Sequence, residues 1–135
     1  MRFAIIGAGN VGTAISRAVT EAGHDVVVSS DSEEDLRELT AAVTVDTTTS
    51  NTEAVSGADI VVLAVPFGAA SEVASEIAET VADKVIIDAT NPLAADLSGL
   101  ASGDLAGAEV VQQAAPQARV VKAFNTVFAS NQSTA

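Results

Sequence analysis

The stretch "GAGNVG" at residues 7–12 follows a short apolar run, "RFAII" (2–6), and opens a segment with helical spacing from about Asn10 to Ala22. A G-x-G-x-x-G pattern says little alone, but between a strand and a helix in a βαβ unit it gives each glycine a task. Gly7 makes the tight turn, Gly9 lets the backbone approach a pyrophosphate, and Gly12 lets the helix pack close to the strand. The free N–H groups and helix dipole at Asn10, Val11 and Gly12 favour an anion.

Strand-like and helix-like segments alternate along the rest of the chain. Gly23 is placed to end the first helix, and "DVVVS" (25–29) reads as the second strand. "SEED" (32–35) has a capping-box pattern with Ser32 as N-cap, and Leu36 and Leu39 share the face of the helix that follows. "AVTVD" (42–46) reads as a short third strand, and "SNTE" (50–53) opens a short helix. "DIVVLAV" (59–65) does not alternate, so both of its faces should be buried, as in a parallel sheet. Over 69–82 the spacing predicts a helix with Val73, Ile77 and Val81 inward and Glu72, Glu76 and Glu79 outward. "KVIID" (84–88) is a fifth strand, residues 90–107 are irregular, a helix falls near 108–115, and "RVVKAF" (119–124) is a sixth strand.

This alternation implies parallel pairing with right-handed crossovers. The expected fold is a Rossmann-type, doubly wound α/β sheet of six strands in the order 3-2-1-4-5-6, with helices on both faces. One NAD(P)-binding domain is expected over residues 1–129, with 130–135 a short polar tail.

Composition narrows the function. The chain has no cysteine and one histidine, which removes disulfides, thiolate nucleophiles and cysteine- or histidine-rich metal sites. The longest apolar run (60–70) is too short to span a bilayer and contains Pro66 and Gly68. "FAIIG" leads into a glycine turn rather than a cleavage site. A soluble cytoplasmic protein without a membrane partner is expected. Eighteen acidic residues against six basic ones give a net charge of −12, which argues against nucleic acid as a partner.

The loops after the long strands all fall on the carboxyl edge of a parallel sheet, beside the glycine turn. They carry Pro66-Phe67, Asn91-Pro92 and Asn125-Thr126. Turn chemistry accounts for each loop singly, but together they fit a nicotinamide pocket better. The end of the second strand should report which nucleotide is bound. An acid there grips a free ribose 2′-hydroxyl, and a base grips a 2′-phosphate. Ser29, Ser30 and Asp31 occupy it, and no Arg or Lys appears before Arg37. His24 falls on the opposite edge and reads as structural or solvated. Asp88 reads as a strand-end carboxylate that orders the Asn91 loop or is merely structural. Lys122 either holds the pocket or is simply solvated.

"FAIIGAGNVGTAI", "GHDVVV", "ADIVVLAVPF", "VIIDATNPL" and "VVKAFNTVFA" occur in this order. Together they resemble the dinucleotide-binding enzymes related to NADPH-dependent reductases of coenzyme F420, a deazaflavin, over residues 2–129. The resemblance implies hydride transfer between NADP(H) and a flavin or deazaflavin acceptor, with NAD as the alternative nucleotide, and a homodimer. It places Gly7, Gly9, Asn10, Val11 and Gly12 at the pyrophosphate and Ser29, Ser30 and Asp31 at the adenosine ribose. Val65, Pro66, Asn91, Phe124 and Asn125 fall on the nicotinamide side. It implies no protein acid or base, since hydride transfer between stacked rings depends on positioning. Relatives continue past this chain with a C-terminal portion that helps form the acceptor site. A dinucleotide-binding module without catalysis, and a ferric or imine reductase on the same fold, are the competing readings.

A chain with this self-repulsion should fold better where salt screens it, as in a high-salt cytoplasm. The thermal unfolding midpoint is expected to rise by several degrees from low to molar KCl, and a midpoint independent of salt would contradict the halophilic reading.

Overall fold

In the computed structural model, residues 1–91 and 106–125 are described. Pro92, Thr126, most of the irregular 90–107 stretch and the 130–135 tail lie outside them. Six strands form one parallel sheet: β1 (Arg2–Ile6), β2 (Asp25–Ser29), β3 (Asp46–Thr48), β4 (Ile60–Leu63), β5 (Val85–Asp88) and β6 (Arg119–Lys122). Five helices alternate with them: α1 (Asn10–Glu21), α2 (Glu33–Ala42), α3 (Asn51–Ser56), α4 (Phe67–Ile77) and α5 (Gly107–Ala114). The strand order is β3-β2-β1-β4-β5-β6, the expected doubly wound order.

The sheet sorts its side chains by strand periodicity. Ala4, Ile6, Val61, Leu63 and Ile86 point to one face and pack with Ala54, Val55, Ala70, Ala74, Ile77 and Val111 of α3, α4 and α5. Ile5, Val26, Val28 and Val62 point to the other and pack with Ile15, Leu36 and Leu39 of α1 and α2. Buried on both faces, β4 sits between β1 and β5, paired Ile5 to Val62 and Val62 to Ile87. That placement accounts for its unbroken apolar run.

Several boundaries differ from the sequence reading; the fourth strand, expected over 59–65, is Ile60–Leu63, and three other differences have a clear physical cause. The third strand is Asp46–Thr48, not 42–46. Val43 lies four residues after Leu39 and bonds to its carbonyl at 2.8 Å, so its apolar side chain extends the buried stripe of α2. Asp46 and the β-branched Thr47 and Thr48 make the edge strand instead, paired with Val27–Ser29. The fourth helix begins at Phe67, with Pro66 as N-cap, and ends at Ile77 rather than 82. Val81 is still fully buried, carried on a turn that closes at Asp83 with φ 64°. The sixth strand ends at Lys122, short of the expected 124. Phe124 has φ 68°, which no strand accommodates.

The two serine caps are in place. Ser32 Oγ accepts the Asp35 amide and Ser50 Oγ the Glu53 amide, each at 3.2 Å. The Glu53 carboxylate accepts the Thr48 hydroxyl, tying α3 to the end of β3.

Ile77 is fully buried between α4 and the sheet. Ile77→Ala should cost about 2–5 kcal/mol in denaturant unfolding. Val121→Ala, at a position half exposed on β6, should cost well under half of that.

Candidate functional site

The carboxyl ends of β1 and β4 face the reversal point of the strand order, where open α/β sheets form their crevice. A groove of about 710 Å³ lies there, within the size range of small-molecule sites. One wall is the β1 exit, Gly7 to Gly9, and the floor includes Ala64, Val65 and Pro66 after β4. Ser29, Ser30 and Asp31 close one end.

The glycine motif divides into structural and open positions. Gly7 has φ 111°, and a Cβ on it would lie 2.3 Å from the Ala64 carbonyl oxygen. A Cβ on Gly12 would lie 1.9 Å from the Gly7 carbonyl oxygen. Both contacts are with backbone, so neither can relax cheaply. A methyl group added at Gly9, by contrast, would have no heavy atom within 4 Å, and this residue lines the groove. Gly9 is the N-cap of α1, which has no side-chain cap and no acid in its first turn. The N–H groups of that turn stay open at the groove mouth, with the positive end of the helix dipole behind them. The N-terminus of α4 at Pro66 is likewise without a side-chain cap or a first-turn acid. Helices α2 and α3, which begin at the same edge, are capped by serine and acidic in the first turn. Helices α1 and α4 thus present open ends at this edge, and α2 and α3 present sealed ones.

Ser29 is fully buried, and its hydroxyl is 2.8 Å from Asn51 Oδ1. Asn51 Nδ2 donates to Glu76 Oε2 at 2.9 Å. A carboxylate only accepts, so the amide orientation is fixed and the Ser29 proton must go to Asn51. Ser30 Oγ accepts the Ser32 amide at 3.1 Å and keeps its own proton to donate.

Of the residues singled out by sequence, Gly7, Gly9, Ser29, Ser30, Asp31, Val65 and Pro66 line this groove. Asn10 is exposed on the first turn of α1, Val11 packs against the α1–α2 core, and Gly12 is buried beneath the turn. Asn91, Phe124 and Asn125 lie on the same sheet edge, after β5 and β6, but not in the groove wall. Sequence reasoning missed Asp35, Asn51, Ala69, Glu72, Val73 and Glu76, all of which line it. A signal was present in α4, because 69, 72, 73 and 76 fall on one helical stripe. Val73, expected to point inward, is half-buried and packs on the core while also lining the groove, and Glu72 and Glu76 beside it face outward into the groove.

Asp88 is fully buried beside these loops. Its Oδ1 accepts the Thr90 amide at 2.9 Å and the Thr90 hydroxyl at 2.6 Å, and Lys122 Nζ sits 3.1 Å from its Oδ2. Lys122 also donates to the Thr90 carbonyl. The pair therefore fixes the loop after β5 against β6. His24 is at the other edge, its ring 5.4 Å from that of Phe3. Among the described residues no group of three or more His, Cys, Asp or Glu could hold a metal ion, and no helix is long and apolar enough to cross a membrane.

The steric division of the glycines is testable. Gly12→Ala should destabilise the fold by about 3 kcal/mol or more, as severe overpacking against backbone does. Gly9→Ala should leave the unfolding midpoint close to that of the parent while placing a methyl group in the groove. Equal destabilisation by both would show that the three glycines play one structural part.

Comparison with known proteins gives the same picture from outside. Residues 2–92 match the family described as NADP oxidoreductase, coenzyme F420-dependent. The F420-dependent NADP reductase of Methanothermobacter thermautotrophicus is 32% identical over 96% of this chain, which spans 63% of that protein. A crystal structure from Arthrobacter sp. FB24, provisionally named an F420-dependent NADP reductase, superposes with a TM-score of 0.83 at 25% identity. It covers 96% of this chain and 64% of its own. A pyrroline-5-carboxylate reductase from Coxiella burnetii, at 21% identity and TM-score 0.70 over 89% of this chain and 42% of its own, shares the fold. With the family's pattern running through β1, the glycine turn, β4 and the loop after β5, the chain belongs to the coenzyme F420-dependent NADP oxidoreductase family.

Proposed function

We propose that this chain binds a nicotinamide dinucleotide along the groove and supports hydride transfer between NADP(H) and a flavin or deazaflavin acceptor. The observation that carries the reading is the uncapped first turn of α1, opening behind Gly7 and Gly9 onto a groove at the strand-order reversal. Family membership supports the choice of reaction, since the Methanothermobacter relative is named for it.

The work divides among the parts of the chain. The N–H groups of Asn10, Val11 and Gly12 would hold the pyrophosphate, with Gly9 leaving room for its approach. Ser30 and Asp31 would meet the adenosine ribose, while Ser29 holds Asn51 in place behind them. Val65 and Pro66 would shape the nicotinamide side from the groove floor. Asn91, Phe124 and Asn125 would do so from the loops that Asp88 and Lys122 fix. The dinucleotide, when bound, supplies or accepts the hydride. The protein's task is then to align two rings and exclude water, which requires no titrating side chain at the reacting atoms.

The test is turnover by the purified chain, followed as loss of reduced-nicotinamide fluorescence with FMN or a deazaflavin as acceptor. Saturable oxidation, lost in Gly9→Ala with folding intact, is the expected result. Saturable nucleotide binding without transfer to either acceptor would favour the non-catalytic module, and no binding at any salt would sink the proposal.

A further inference from the structure

The charges around the groove bear on which dinucleotide it takes. NADP differs from NAD by one phosphate monoester on the adenosine 2′-oxygen, which carries about −1.5 to −2 charges at neutral pH. Four carboxylates line the groove: Asp31, Asp35, Glu72 and Glu76. None of the described lining residues is Lys or Arg. Arg37, the first cation after β2 in the chain, is exposed on α2 and lies 3.7 Å from Glu33. The serine at the end of β2 offers a phosphate no help, because the Ser29 hydroxyl is buried and committed to Asn51. Ser30 retains a single proton to donate. The Ser30 and Thr49 hydroxyls thus stand against four carboxylates.

A free 2′-hydroxyl meets the opposite situation. Asp31 is exposed at the groove end and follows Gly12 by nineteen residues. In this fold an acid about 20 residues beyond the glycine motif accepts the ribose hydroxyl. That hydrogen bond is short-ranged and little affected by salt. Repulsion between a phosphate and several carboxylates is long-ranged, and it fades as the Debye length falls from about 10 Å at 0.1 M to about 3 Å at 1 M.

We propose that this groove selects against the 2′-phosphate through Asp31 and its neighbouring carboxylates, so that NADH is preferred at low ionic strength and NADPH becomes competitive only in high salt. The proposal rests on the dinucleotide reading above and restricts its NADP(H) to high ionic strength: salt, rather than a basic residue, sets the nucleotide preference.

Fluorescence titrations with NADH and NADPH give the test. They are run at the lowest KCl concentration that keeps the circular dichroism of the folded chain, and again near ~2 M. Both nucleotides share the pyrophosphate, so the ratio of the two affinities cancels effects of salt on folding and on the common charge. NADH should bind about tenfold tighter or more at low salt, and the gap should shrink about fivefold or more at high salt. Asp31→Asn should narrow the low-salt gap by a similar factor. Glu21→Gln, at the far end of α1, should leave it unchanged. NADPH binding as tightly as NADH at low salt, or a ratio indifferent to salt or to Asp31→Asn, overturns the proposal and leaves the dinucleotide reading standing. Failure of both nucleotides to bind removes that reading and this inference together.

Discussion

The approach of two backbones, with no side chain between them, underlies the rest of the molecule. The Gly7 turn lies against the Ala64 carbonyl, and Gly12 lies against the carbonyl of Gly7. These contacts bring the start of α1 down onto the sheet where β1 and β4 diverge. A larger residue at either position would lift the helix and separate its open N–H groups from the crevice floor. The pairing of β1 with β4 from Phe3↔Ile60 to Ile6↔Leu63 continues directly into this contact, so sheet register and groove shape are one constraint.

Two polar links hold the carboxyl edge on either side of that contact. Ser29, Asn51 and Glu76 form a hydrogen-bonded line from β2 through α3 to α4. Asp88, Thr90 and Lys122 form a compact cluster joining the loop after β5 to β6. In each link a fully buried group is satisfied by partners from elsewhere in the chain, as buried polar groups must be. Apolar burial holds the sheet and helices together, but it is indifferent to small displacements along a strand. The polar links are directional and remove that freedom where the loops must stand in fixed relation.

The fold was legible because local signals agreed with one another. The glycine turn, the unbroken apolar run of β4 and the serine caps at 32 and 50 each marked a boundary by a backbone or burial requirement that sequence displays directly. Val43 misled because a β-branched residue at a helix end looks like the beginning of a strand, and only its position four residues after Leu39 reveals its burial. The site was legible where the main chain makes it, at Gly7, Gly9 and Pro66. It was less so where side chains from different elements meet. Nothing local to Asn51 announces that it lies between Ser29 and Glu76, residues far from it in sequence. Glu72 and Glu76 read as solvent-facing, which is true, but the solvent they face is inside the groove.

The Ser29–Asn51–Glu76 line also has a mechanical meaning. It crosses from the sheet to α4 by way of α3, so it works as a brace of fixed length between two walls of the groove. At its buried end, moving Asn51 away from Ser29 would leave the Ser29 hydroxyl unpaired inside the protein. The Ser29–Asn51 side of the crevice is therefore positioned before any ligand arrives. Recognition there becomes a matter of matching a gauge, with little share for walls that close around their guest.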